Sequence, residues 1–164
     1  WRKERTKLRT YDKNIFNITV ISSEFNADIV NNLYLGVEKF FKEKCSFALI
    51  EINEIKAPGS FELPYIAKRV LEKKNTDCII TLGCIIKGET AHFEYISNAC
   101  ANTLSQLTIQ SEIPIMFGVI TAYNREQAIA RSQVDFDNKD NLNIGFNVAN
   151  AALQTLISKK IHKL

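Results

Sequence analysis

The chain has 164 residues, 46% of them apolar and 24% charged, with a net charge of +3. That composition is ordinary for a soluble globular domain able to bury a core of its own, and the charge is too small to argue for nucleic acid. No apolar run approaches the roughly 20 residues of a membrane span.

Much of the positive charge lies at the ends, in "WRKERTKLR" and "KKIHKL". Both read as solvated termini, with a nucleic-acid arm as the rival reading. Residues 1–14 have no hydrophobic period and read as a basic arm before a single domain over residues 15–164. Cys45, Cys78, Cys84 and Cys100 form no C-x-x-C and stand in apolar surroundings. That predicts buried, reduced thiols in a cytoplasmic setting and no zinc site. The chain opens on Trp1, so a plastid address remains open if a targeting segment lay upstream.

In chain order, "IFNITVI" (Ile15–Ile21) is a short β-rich run, a buried strand. The loop "SSEFNAD" follows. Ile29, Val30, Leu33, Val37, Phe40 and Phe41 then recur at helical spacing, which predicts an amphipathic helix ending near Lys44. "SFALIEINEI" (Ser46–Ile55) begins a second strand, punctuated by "KAPGS". "FELPYIAKRVLEKK" reads as a helix with Glu62 and Pro64 in its first turn, where both are tolerated. "DCIITLGCII" (Asp77–Ile86) is apolar on both faces, as a central parallel strand must be. Helical spacing resumes from Phe93 to about Gln110. "IPIMFGVIT" (Ile113–Thr121) is a fourth strand. "NREQAIAR" is a short helix with Asn124 as N-cap, "SQVDFDNKDN" is a polar loop, and "LNIGFNVANAALQTLISKK" is a final amphipathic helix. Strands alternating with helices predict a three-layer α/β sandwich on a parallel sheet of four or five strands.

Ligands of such folds bind beyond the carboxyl ends of the strands, so "SSEFNAD", "KAPGSFE", "KGETAH" and "TAYNR" are the loops to inspect. Gly83–Thr90 reads G-x-x-x-x-G-E-T, close to a nucleotide phosphate loop. Glu89 replaces the phosphate lysine and would repel outer phosphates, which argues against an NTPase. Gly88 lets the backbone turn, Thr90 can cap the next helix, and the free amides there suit a single phosphate as well as an ordinary turn. His92 falls at the helix start, where a histidine serves either as a proton shuttle or as a surface residue. Cys84 lies inside the strand, a poor place for a nucleophile. Phe25 stands in a polar loop and either stacks on a flat ligand or covers the sheet edge. Phe61 and Glu62 mark another strand-to-helix turn, and Glu62 also suits simple compensation of the helix dipole. Arg131 ends a helix, where charge compensation competes with phosphate binding.

Together "SEFN", "APGSFELP", "TLGCIIKGETAHFEY", "PIMFGVIT" and "EQAIAR" form one ordered set over roughly Ile15 to Leu156. The set resembles the 6,7-dimethyl-8-ribityllumazine synthases of riboflavin biosynthesis. The resemblance implies a flavodoxin-like αβα sandwich with a four-stranded parallel sheet. It implies condensation of 5-amino-6-(D-ribitylamino)uracil with 3,4-dihydroxy-2-butanone 4-phosphate, with loss of phosphate and water and no metal or organic cofactor. It sets the pyrimidine against Phe25 and Asn26. Ser60, Phe61 and Glu62 then line the ribityl and pyrimidine pocket, and Cys84, Ile85 and Ile86 lie under the ring. Glu89 and Thr90 cradle the phosphate, Arg131 faces it, and His92 transfers protons. Phe117 is implied to serve a neighbouring subunit's site, and Lys139 to lie near the same interface. A homopentamer or an icosahedral shell of sixty copies follows, with active sites between subunits and riboflavin synthase as a further candidate partner. Neither nucleic acid nor membrane is expected.

The chain departs from the family after Arg131. The family reads A-G-T-K-x-G-N-K-G where this sequence has "SQVDFDNKDN". Asn138 and Lys139 keep their offset, the glycines are gone, and Asp135, Asp137 and Asp140 appear. A non-catalytic relative that binds a flavin or serves as a scaffold is the alternative this loop leaves. The loop carries no insertion, which leans towards the shell.

Overall fold

The structure is a computed structural model and describes residues 14–46, 48–137 and 142–163. It is a four-stranded sheet, all parallel, in the order β2-β1-β3-β4. The strands are β1 (Asn14–Ser23), β2 (Ala48–Ala57), β3 (Cys78–Ile86) and β4 (Ile115–Ala122). Five helices alternate with and follow them: α1 (Ala27–Lys44), α2 (Leu63–Lys73), α3 (His92–Ile109), α4 (Arg125–Ala130) and α5 (Ile144–His162). The arm expected over residues 1–14 lies outside the described residues except for Asn14, whose backbone opens β1.

Two apolar layers sandwich the sheet. On one face Val30, Leu33 and Val37 of α1 meet Ile18, Val20, Ile80 and Leu82 of the sheet, with Ala149, Ala152 and Leu153 of α5. On the other face Leu63 and Ala67 of α2, with Cys100 and Leu104 of α3, cover Ile21, Ile79, Ile115 and Val119. β3 is covered on both sides, and every residue from Cys78 to Ile85 is buried. Each large aliphatic side chain fully buried in this way contributes about 1.5–3 kcal/mol.

The helices form where their apolar spacing placed them. The six residues at helical spacing in α1 are all buried. Asn124 caps α4 as expected, accepting a hydrogen bond from the Gln127 backbone N–H at 2.9 Å. Strand ends differ more. β1 runs through Ser22 and Ser23, two residues past the expected end, because these pair with Lys56 and Ala57 of β2. Ser22 is fully buried, and its hydroxyl is satisfied by donating to the Glu54 carboxylate. Polarity read along the chain cannot anticipate that cross-strand partner. The same pairing carries β2 two residues beyond Ile55.

α1 and α5 cross very closely. A Cβ on Gly145 would stand 1.8 Å from the Leu33 carbonyl oxygen, and one on Gly36 would stand 2.1 Å from Asn143 Oδ1. Asn143 is buried at this crossing. It caps α5 by accepting from the Phe146 N–H at 3.0 Å, and its amide donates to the carbonyls of Asn32 (3.0 Å) and Gln133 (2.9 Å). The crossing locks α1 to α5, and the strand ends carry the loops that matter for function.

Candidate functional site

The chain runs from β1 to β2 on one side and then crosses to β3 on the other, so β1 and β3 flank the switch point of the sheet. Binding sites of doubly wound folds form there. Three turns are pinned together at this point. The Glu24 N–H donates to the Ala57 carbonyl at 2.8 Å, tying the β1 turn to β2. Asn26 takes a left-handed backbone (φ 57°, ψ 45°), which asparagine tolerates better than most residues. Its side chain makes no cap bond to α1. The amide instead donates to the Cys84 carbonyl at 3.0 Å and fastens the β1 turn to β3. Phe25 is left pointing outward, 68% exposed.

The β2 turn leans on β3 from the other face. Ser60 is 6% exposed, and a Cβ built on Gly83 would lie 2.6 Å from its hydroxyl oxygen. Only glycine in β3 lets the two chains approach this closely. Among the described residues that hydroxyl has no hydrogen-bond partner. A buried hydroxyl in that state costs about 1–3 kcal/mol, so it is ready for a ligand's polar group. Phe61 is exposed. Glu62 stands at the start of α2 without a side-chain cap bond. Its carboxylate folds towards Gly59, where a Cβ would meet Oε2 at 2.9 Å.

Cys84 and Ile85 are buried and Ile86 is half-buried at the end of β3. Burial, with the Asp28 carboxylate adding to it and Arg125 opposing, pushes the Cys84 thiol up to about 11. It stays protonated at neutral pH, which removes it as a nucleophile. Beyond it, Glu89, Thr90 and His92 are exposed. Thr90 does not cap α3. The cap position is Ala91, with no side-chain bond, and the Thr90 hydroxyl accepts only a long 3.4 Å contact from the His92 N–H. Thr90 lies one residue too early to cap the helix, so its hydroxyl shapes the turn. His92 is the first residue of α3.

Phe117 and Arg131 come from other parts of the fold than His92. Phe117 pairs with Thr81 in mid-strand, five residues before the end of β4. At about 3.3 Å per residue it lies some 17 Å below the strand ends. It is 43% exposed on an edge strand. Arg131 follows α4, whose Ala128 packs into the layer of α1 and α5. His92 and Glu62 belong to the opposite layer. The Arg131 guanidinium donates to the Gln127 carbonyl at 3.0 Å. Lys139 lies outside the described residues.

One chain therefore brings Phe25, Asn26, Ser60, Phe61, Glu62, the end of β3, Glu89, Thr90 and His92 to one end of the sheet, with Arg131 in the other layer from His92 and Phe117 in mid-strand. Sequence reasoning missed Gly83 as a packing position, although a glycine inside an apolar run is the usual signal of close backbone approach. It also missed Lys87 and Tyr123. Lys87 lies 3.2 Å from the Glu94 carboxylate, and its ammonium sits 5.7 Å from the centre of the Tyr123 ring. No local pattern marks that contact. Among the described residues, no three His, Cys, Asp or Glu side chains are grouped so as to hold a metal ion.

Comparison with known proteins bears on this arrangement. Residues 16–160 match the family model described as 6,7-dimethyl-8-ribityllumazine synthase. The chain is 39% identical over 140 residues to the 6,7-dimethyl-8-ribityllumazine synthase 1 of Caulobacter vibrioides, covering 85% of this chain and 87% of that one. It is 36% identical over 135 residues to the synthase of Flavobacterium johnsoniae, covering 79% and 70%. The synthase of Leuconostoc mesenteroides is 36% identical over 133 residues, covering 81% and 85%.

Proposed function

The chain belongs to the 6,7-dimethyl-8-ribityllumazine synthase family, and we propose the part that each of its site residues plays in the condensation. It is an enzyme of riboflavin biosynthesis that joins 5-amino-6-(D-ribitylamino)uracil to 3,4-dihydroxy-2-butanone 4-phosphate. The non-catalytic alternative is not favoured, because these relatives all carry the synthase name.

The observation that carries the assignment of roles is the pinning of three strand-end turns around the end of β3. Phe25 offers an open aromatic face to the pyrimidine, as its exposure supports, and Asn26 stands beside it. The Ser60 hydroxyl, Phe61 and the Glu62 carboxylate receive the ribityl chain and ring edge. Cys84, Ile85 and Ile86 form the floor. The amides of the Gly88–Ala91 turn, with Glu89 and Thr90, hold the phosphate at the positive start of α3. His92, next to that phosphate and open to solvent, moves the protons that imine formation, phosphate loss and ring closure each require. The remaining catalysis is alignment of two reactants.

The phosphate still needs a cation. Arg131 follows a helix of the opposite layer from His92, and Phe117 lies well below the strand ends. Both are supplied by a second copy, and the family resemblance sets Lys139 near the same interface, so the enzyme works as a homo-oligomer with its sites between subunits. Exposed Phe25, Phe61, Tyr65, Tyr95, Ile109 and Tyr123 support such burial. The four free thiols fit a cytoplasmic protein. Among the described residues, no helix is long and apolar enough to cross a membrane.

Mixing both substrates with purified protein is expected to yield the absorbing lumazine product. His92→Ala is expected to lower kcat about 100-fold with little change in either KM. An unchanged kcat would remove His92 from proton transfer.

A further inference from the structure

The turn from Lys87 to His92 is exposed along its whole length. A Cβ on Gly88 would meet nothing within 4 Å, so the turn is not wedged against the body of the fold. Its backbone anchors are few: the Lys87 N–H donates to the Ala122 carbonyl at 2.9 Å, and the Tyr95 N–H reaches the Ala91 carbonyl at 3.4 Å. Yet its amides must be ordered to hold a phosphate.

A clasp closes across the two ends of this turn. At its start the Lys87 ammonium lies 3.2 Å from Glu94 Oε1, in the first turn of α3. The same ammonium sits over the Tyr123 ring at 5.7 Å. Tyr123 packs on Phe93, just past the turn, with ring centres 6.3 Å apart. Tyr123 is itself fixed, because its N–H donates to Gln127 Oε1 at 3.0 Å. Lys87 and Phe93 thus come from the two flanks of one turn and meet a ring presented by the β4–α4 connection, while Glu94 holds the Lys87 ammonium. The Glu94 carboxyl is held below the usual carboxylate range, first by its own backbone N–H and then by Lys87.

We propose that Lys87 and Tyr123 are positioning residues that hold the Gly88–Ala91 turn in the shape that receives the phosphate of the four-carbon substrate. The proposal rests on the reading that this turn is the phosphate cradle. A turn ordered beforehand does not lose its freedom on binding, and the benefit falls on the ligand it contacts. The Lys87 ammonium is engaged by Glu94 and Tyr123, so its action runs through the turn and not through direct contact with phosphate.

Steady-state kinetics of Lys87→Met and Tyr123→Leu, against each substrate separately, test this. Both variants are expected to raise KM for the butanone phosphate about tenfold, with kcat and the KM for the pyrimidine within about twofold of wild type. Lys87→Arg and Tyr123→Phe, which keep a cation and a ring, are expected to restore most of the affinity. Equal rises in both KM values, or none, overturn the proposal. So does an effect of Lys87→Met that Tyr123→Leu does not share, since that marks direct contact. Calorimetric titration of the folded proteins with inorganic phosphate gives a second reading. Weaker binding by both variants supports the clasp; equal binding, or none by wild type, overturns it. Wild-type protein that binds phosphate but forms no lumazine sinks the condensation reading and leaves the clasp standing.

Discussion

Gly83 shows how much one missing side chain decides. A methyl group there would meet the Ser60 hydroxyl at 2.6 Å and Leu63 Cδ1 at 3.2 Å. Ser60 and Leu63 are both buried, so neither can swing into solvent. Gly83→Ala is therefore expected to push the whole β2 turn outward, carrying Phe61 and Glu62 with it. The expected cost is about 1–3 kcal/mol of stability, with a weaker grip on the pyrimidine. Urea denaturation and the pyrimidine KM, measured together, check both halves; a variant with normal values for each would show that the turn is free to adjust.

At the scale of elements, the α1–α5 crossing is the tightest joint in the described structure. Its closeness comes from Gly36 and Gly145, and Asn143 serves it as cap of α5 and as donor to two carbonyls. Asn143→Ala removes a helix cap worth about 1 kcal/mol. It also takes the donor from two part-buried carbonyls, so a total loss of about 3 kcal/mol is expected. Asn143→Asp keeps the cap acceptor and loses the donors, and should fall between. Equal urea midpoints for Asn143→Ala and wild type would show that the crossing is held by packing only.

At the scale of the molecule, buried thiols occur in both apolar layers. Burial raises Cys84 and Cys100 to about 11 and Cys78 to about 12, against an ordinary value of 9.0. Such groups hold their protons more tightly when folded. Their contribution to stability is complete below pH 9 and is lost as pH climbs towards 11. The urea midpoint is expected to stay level from pH 7 to 8.5 and to fall above pH 9, less steeply in Cys84→Ala and Cys100→Ala. A midpoint independent of pH up to 11 would contradict this. Assembly belongs to the same scale. Five copies of 18.7 kDa sediment at about 94 kDa, and sixty at about 1.1 MDa. Sedimentation is expected to find one of these and no stable monomer, since a lone chain leaves Phe25, Phe61, Tyr95 and Ile109 open to water.

The alternation of strands and helices was legible in the residues, because apolar period is a local property. β3 reads apolar on both faces since it is covered on both, and α1 shows its buried stripe directly. The motif "KGETAH", once compared with a family, also pointed to a phosphate where a phosphate-loop reading had failed. Other features depend on partners far away in the chain. Asn26 reaches Cys84 across 58 positions, and Ser22 is satisfied by Glu54 on another strand. Gly83 makes room for Ser60, and Lys87 finds Tyr123 across a turn. Only folding set those pairs at contact distance. It also set Arg131 in one layer and His92 in the other, since the layer a helix joins is decided by how its chain crosses the sheet and not by the residues it carries.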